Sequence, residues 1–198
     1  MSVKGRIESA LASVAQLGTG IDWVVGGSTG LMLRGLPLTS EPNDLDLYID
    51  EADFDRLYSL LSPYAVDSPV LSETGIYRST LCHFQLEGVS VELVGGFIVS
   101  AHGCRYETKV SELLKPLAER VIVDGKYFVH TVPLAHELWF NVLRDRPDRY
   151  QLIMDAYVQD EAKHEDALKQ LESYNTFTPG MIRKVHQMIA EKRTGVLR

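Results

Sequence analysis

The sequence predicts an α+β chain, with a small mixed sheet flanked by helices over residues 1–132 and a helical region over residues 133–198 packed on that core. Three observations carry this. Short apolar runs alternate with helical patterns in the first half of the chain. Two pairs of apolar runs meet at Glu87-Gly88 and at Asp124-Gly125, dipeptides suited to tight hairpin turns. From Pro133 onward, apolar residues recur only at helical spacing.

Taken in order, Val3–Leu17 is the first helix, because Ile7, Leu11, Val14 and Leu17 recur every three or four residues and Gly18 and Gly20 end the pattern. Trp23–Val25 is a short buried strand, and a helix follows from Ser28 to about Arg34. Leu36–Asn43 contains Pro37 and Pro42 and is a loop. Leu45–Ile49 is the next strand, and Asp53–Leu61 is a helix stopped before Pro63. Asp50, Glu51 and Asp53 stand where that helix begins, and acids there cap amides and complement the helix dipole. Tyr77–Leu86 with Val89–Val94 forms one hairpin, and Arg120–Val123 with Tyr127–Thr131 the second. Four helices complete the chain: Leu134–Arg144, Asp148–Gln159, Glu161–Tyr174 and Pro179–Lys192.

A length of 198 residues with 45% hydrophobic and 24% charged residues is that of an ordinary globular chain with a proper core. The opening MSVKGRIESALASVAQL is amphipathic, without the unbroken apolar stretch of a secretion signal, and no apolar run approaches membrane-spanning length. Cys82 and Cys104 have no metal-type spacing and read as reduced thiols, so a cytoplasmic location is expected. The net charge of −7 is unevenly spread. Residues 1–132 hold 10 basic against 17 acidic side chains, and residues 133–198 hold 10 of each. Glu41–Asp55 alone carries seven acids and no base. Such a surface repels a polyphosphate backbone, which argues against nucleic acid as a partner, and it accepts a nucleotide only with divalent cations between.

Gly26-Gly27-Ser28 lies between a strand and a helix. Glycines there let backbone amides approach a phosphate, and the helix start supplies unpaired N–H groups; Ser28 can cap the helix and offer its hydroxyl. Asp44 and Asp46 stand two apart on a strand, so both carboxylates share one face while Leu45 and Leu47 face the core. Glu92, in GVSVELV, lies opposite the apolar face of its own strand, and an adjacent antiparallel strand would bring it beside the two aspartates. Three such acids suit two Mg²⁺ ions. Each feature alone has a plainer explanation as a turn, a wet strand face or a surface acid. His102 and Cys104 are too few for a metal site, and His136-Glu137 lacks a second histidine at zinc-protease spacing. Trp139, Phe140 and Leu143 read as core, as do Tyr150, Tyr157 and Tyr174, although the tyrosines could stack on a base or meet a second copy of the chain.

Together, the run GGS…LRG…DLDLYI followed by a VEL strand resembles the DNA polymerase β-type nucleotidyltransferase superfamily, and within it the small bacterial stand-alone enzymes. The resemblance covers residues 20–95 and extends to the helical segment VPLAHELWFNVLRDRPDRYQLIMDAY. It implies a mixed nucleotidyltransferase sheet in which Gly26, Gly27 and Ser28 hold the triphosphate, aided by Arg34 at the helix exit. Asp44, Asp46 and Glu92 would bind Mg²⁺ or Mn²⁺, and Glu92 would also activate the acceptor hydroxyl. The implied reaction moves a nucleoside monophosphate from an NTP, ATP first among them, to a small molecule or protein. The family's later helix implies a phosphate-gripping base near Asn141, for which Arg144 or Arg149 would have to substitute. The alternative is a non-catalytic, antitoxin-like regulator on the same scaffold.

Overall fold

The computed structural model describes residues 2–195, and the chain divides into two compact units. One comprises the chain up to Phe97 together with Thr108–Val132. The other comprises Ile98–Glu107 together with the chain from Pro133 onward.

The first unit is a mixed sheet with helices. Its strands are β1 (Trp23–Gly26), β2 (Asp44–Ile49), β3 (Val70–Thr74), β4 (Tyr77–Leu86), β5 (Val89–Ala101, of which the part up to Phe97 lies in this unit), β7 (Glu119–Val123) and β8 (Tyr127–Thr131), in the order β3-β4-β5-β2-β1-β8-β7. β1 runs antiparallel to β2, whereas β2 runs parallel to β5 and β1 parallel to β8. Helices α1 (Val3–Leu17), α2 (Gly27–Leu33) and α3 (Phe54–Leu61) cover the sheet. The core is built from the apolar stripes already visible in the sequence: Ile7, Leu11 and Val14 from α1, Leu45, Leu47 and Ile49 from β2, Leu57 and Leu61 from α3, and Val91 and Leu93 from β5. α1 is capped by Ser2, whose hydroxyl accepts from the Gly5 amide.

Both hairpins form where expected. Glu87 and Gly88 take φ values of 51° and 74°, and Asp124 and Gly125 of 51° and 62°, the left-handed pair that a two-residue turn needs. Two strand features depart from the sequence reading. β5 does not stop at Gly95-Gly96, because those glycines admit neighbours instead of breaking the strand: a β-carbon on Gly95 would lie 2.5 Å from the Phe54 ring, and one on Gly96 2.8 Å from Glu51 Oε2. β3 carries no alternating pattern, being exposed along most of its length at the sheet edge.

Asp50, Glu51 and Asp53 stand at the start of the helical segment after β2 as expected, but neither Asp50 nor Asp53 makes a side-chain capping bond there. Asp50 accepts instead from the amides of Val110 (2.7 Å) and Ser111 (2.8 Å) and from the Ser111 hydroxyl (2.5 Å), capping a single π-helical turn, Val110–Leu114. Glu51 accepts from the Thr80 hydroxyl at 2.7 Å, and Asp53 pairs with Arg56.

The second unit holds α4 (Leu134–Leu143), α5 (Pro147–Gln159), α6 (Glu161–Tyr174) and α7 (Pro179–Arg193). The end of β5, Ile98–Ala101, pairs there with β6 (Cys104–Glu107). Its aromatic centre gathers Tyr106, His136, Phe140, Trp139 and Phe177. The Tyr106 hydroxyl lies 2.7 Å from His136 Nδ1, and Trp139 stacks on Phe177 at 3.9 Å. Among the described residues no helix is long and apolar enough to cross a membrane.

Candidate active site

The turn between β1 and α2 is shaped by contact. Gly26 pairs with Asp46 across the antiparallel β1–β2 ladder, and a β-carbon on Gly26 would fall 2.1 Å from the Tyr48 ring. Gly27 adopts φ +60°, and a β-carbon there would stand 1.9 Å from Asp46 Oδ2. The Asp46 carboxylate therefore lies directly over Gly27, in space that only glycine leaves open. The helix begins at Gly27 with Gly26 as its flanking residue and no side-chain cap, so Ser28 sits inside the first turn and is not the N-cap the sequence suggested. Thr29, which the sequence reading passed over, donates its buried hydroxyl to the Asp44 carbonyl at 2.7 Å and pins the start of β2 to α2.

On β2 the alternation holds. Leu45 and Leu47 are fully buried, while Asp44 and Asp46 lie half-buried on the opposite face. The register with β5 sets Asp44 opposite Ser90 and Asp46 opposite Glu92. The three acids thus share one face, reached through a parallel neighbour where the sequence led us to expect an antiparallel one. Burial, and then the Asp44 charge, push the Glu92 carboxyl above its usual range, and His83 pulls it partly back.

His83 is the second residue missed. It lies on β4 with Nε2 3.7 Å from Glu92 Oε1 and Nδ1 2.5 Å from Asp67 Oδ2. Its signal was present in the sequence. With Glu87 and Gly88 as the turn, counting back from Leu86 opposite Val89 puts His83 opposite Glu92.

An all-carboxylate, half-buried set fits a hard divalent cation such as Mg²⁺. Among the described residues no three metal-type side chains converge into a ready-made cage. A divalent ion completed by substrate phosphates would need only one or two of these carboxylates. Asp44, Asp46 and Glu92 are the residues that would hold it.

Arg34 is hydrogen-bonded within the first unit. Its guanidinium donates to Glu119 Oε2 (2.6 Å) and to the Thr131 and Val132 carbonyls (3.2 and 2.6 Å), and its side chain is only 6% exposed. It ties the end of α2 to β7 and β8. In the second unit, Asn141 is buried and donates to the Glu137 carbonyl at 2.8 Å. Arg144 lies over the Phe140 ring at 4.8 Å, and Arg149 pairs with Asp148. His102 meets Asp145 at 3.1 Å, and the Cys104 thiol meets Thr178, so those two do not form a metal pair.

No protein-family model matches the chain, and no curated protein does. Among solved structures, it is similar to one from Thermotoga maritima described as a "putative nucleotidyltransferase", at 20% identity, covering 75% of this chain and 91% of that one with a TM-score of 0.59. A crystal structure of ANT(2'')-Ia in complex with adenylyl-2''-tobramycin aligns at 13% identity over 85% of this chain and 95% of that one, with a TM-score of 0.49. The chain shares its fold with the Thermotoga maritima structure.

Proposed function

We propose that this chain uses its nucleotidyltransferase fold for metal-dependent transfer of a nucleoside monophosphate from an NTP, ATP first among them, to a hydroxyl of a small molecule or protein in the cytoplasm. The observation that carries the reading is the register of β1, β2 and β5, which aligns Gly26, Asp46 and Glu92 side by side with Asp44 on the same face.

In this reading Gly26, Gly27 and Ser28 present the turn and first helical amides to the triphosphate. Bound by Asp44, Asp46 and Glu92, Mg²⁺ or Mn²⁺ would offset the triphosphate charge and acidify the incoming hydroxyl. Glu92 takes the hydroxyl proton. The oxygen then bonds to the α-phosphorus in line with the departing Pα–O bond, and pyrophosphate leaves.

Thermal unfolding with each NTP, with and without Mg²⁺, tests the reading on the wild type and on Asp44→Asn/Asp46→Asn. A nucleotide at about 100 times its Kd stabilises by about 2.7 kcal/mol, several degrees for a chain of this size. The shift should require metal and vanish in the double variant, and label from α-labelled ATP should pass to an acceptor. No shift with any NTP overturns the proposal. A regulatory, non-catalytic role draws support from Asn141, which is buried and bonded where the family's helix implies a base. In that case no NTP shifts unfolding or passes label to an acceptor, and the biological effect persists in the double variant.

A further inference from the structure

Two polar side chains with no place in the transfer chemistry above, Asp67 and His83, lead to one of the three acids, Glu92. Asp67 lies in the segment that precedes β3, His83 is on β4 and Glu92 on β5, and all three belong to the first unit. We infer that Asp67 and His83 are positioning residues for Glu92, with Asp67 fixing the His83 ring and the ring fixing the Glu92 carboxylate on the metal-binding face. This rests on the role proposed for Glu92.

The geometry is directional. Asp67 Oδ2 takes the Nδ1 side of the ring at 2.5 Å, which turns Nε2 toward Glu92 Oε1 at 3.7 Å. Asp67 is itself held from three sides, since its Oδ1 also accepts from the His83 backbone amide (2.7 Å) and from the Cys82 thiol (3.2 Å). Cys82 is fully buried, and burial together with Asp67 pushes its thiol up to about 12, so it stays a neutral donor. The carboxylate that anchors the ring therefore has little freedom to swing.

A purely structural role would be to fasten the Ala65–Asp67 segment to β4. The backbone already does this: Ala65 bridges Phe84, the Val66 amide donates to the His83 carbonyl at 2.9 Å, and the His83 amide donates to Asp67. The ring is not needed for that fastening, yet it is the part aimed at Glu92. Both His83 and Glu92 keep a third of their side-chain surface exposed, so this end of the line opens to solvent and to a ligand. Outer partners that orient a metal-binding group commonly change metal affinity by about 10–100-fold when removed.

The test uses Mn²⁺ with the non-transferable analogue α,β-methylene-ATP, following free Mn²⁺ by electron paramagnetic resonance, so it needs no acceptor. His83→Ala should weaken Mn²⁺ binding by about 10-fold or more. Asp67→Asn should weaken it less, and His83→Gln, which keeps a donor, should recover part of the loss. In a Glu92→Gln background, His83→Ala should add nothing, the non-additivity expected of residues that act through one another. An independent readout on the metal-free wild type is the ¹⁵N resonance of the His83 ring, which should move in Glu92→Gln and in Asp67→Asn. Unchanged Mn²⁺ binding in His83→Ala, a loss that multiplies fully with Glu92→Gln, or a ring resonance blind to Glu92→Gln overturns the inference while leaving the proposed function intact. Wild type that binds no Mn²⁺ with the analogue overturns both. Should His83→Ala fail to fold, His83→Gln and the ring resonance decide.

Discussion

At Gly27 a left-handed backbone and the close approach of Asp46 fall on one residue. Gly20 and Gly35 share the backbone requirement, with φ values of +81° and +80°, but have nothing within 4 Å of where a β-carbon would stand. They separate the two effects. Gly20→Ala or Gly35→Ala should cost about 1–2 kcal/mol in denaturant unfolding, the strain of the conformation alone. Gly27→Ala should cost more and also abolish the Mg²⁺-dependent thermal shift with ATP, because Asp46 is displaced. A Gly27→Ala variant that keeps that shift would separate Asp46 from the nucleotide site. Asp44, Asp46 and Glu92 could be read from the sequence because strand period alone assigns them a face. Arg34 could not, because its acceptors, the Thr131 and Val132 carbonyls, lie 97 and 98 residues away and only the folded chain brings them near. His83 was within reach through turn counting, whereas Asp67, in an irregular segment, carries no periodic signal.

Elements with a strong local pattern formed as the sequence indicated: α1 and α6 match residue for residue, and the two hairpins turn where glycine follows an acid. What escaped was set by neighbours. The parallel pairing of β2 with β5 depends on the whole crossover through α3, β3 and β4, and no local feature states it. The π-helical turn Val110–Leu114 likewise depends on a carboxylate sixty residues earlier in the chain. Asp50→Ala should remove that cap at a cost of about 1–2 kcal/mol and should speed hydrogen exchange at the Val110 and Ser111 amides above all others. Asp50→Asn keeps an acceptor and should fall between the two. If exchange at Val110 and Ser111 is unaltered in Asp50→Ala, the turn is held by something other than this carboxylate.

Across the molecule, the acidic run Glu41–Asp55 is less of a single feature than its composition suggests. Asp50 caps the π-helical turn, Glu51 holds Thr80 and Asp53 holds Arg56, and of the other four acids Asp44 and Asp46 lie on the site face. Acid sensitivity should therefore not be sought in that run alone, and the second unit contains its own trigger. His136 is fully buried, and burial first, then the Arg144 charge, depress it from 6.5 to about 3. In the folded unit it stays neutral down to about pH 3, while the unfolded chain binds a proton below about 6.5. Between those limits the unfolded state holds more protons, so stability falls as pH falls, by up to about 1.4 kcal/mol per pH unit from this one group. Above pH 6.5 the contribution is flat. The two tryptophans lie one in each unit, Trp23 in the first and Trp139 in the second, so Trp23→Phe leaves Trp139 fluorescence as a reporter of the second unit. In that background, urea unfolding at pH 7 and pH 5 should differ by more in the protein carrying His136 than in His136→Gln, whose side chain does not titrate. Equal pH dependence in the two proteins would show that His136 is not the source of the acid sensitivity, and the carboxylates would then have to account for it.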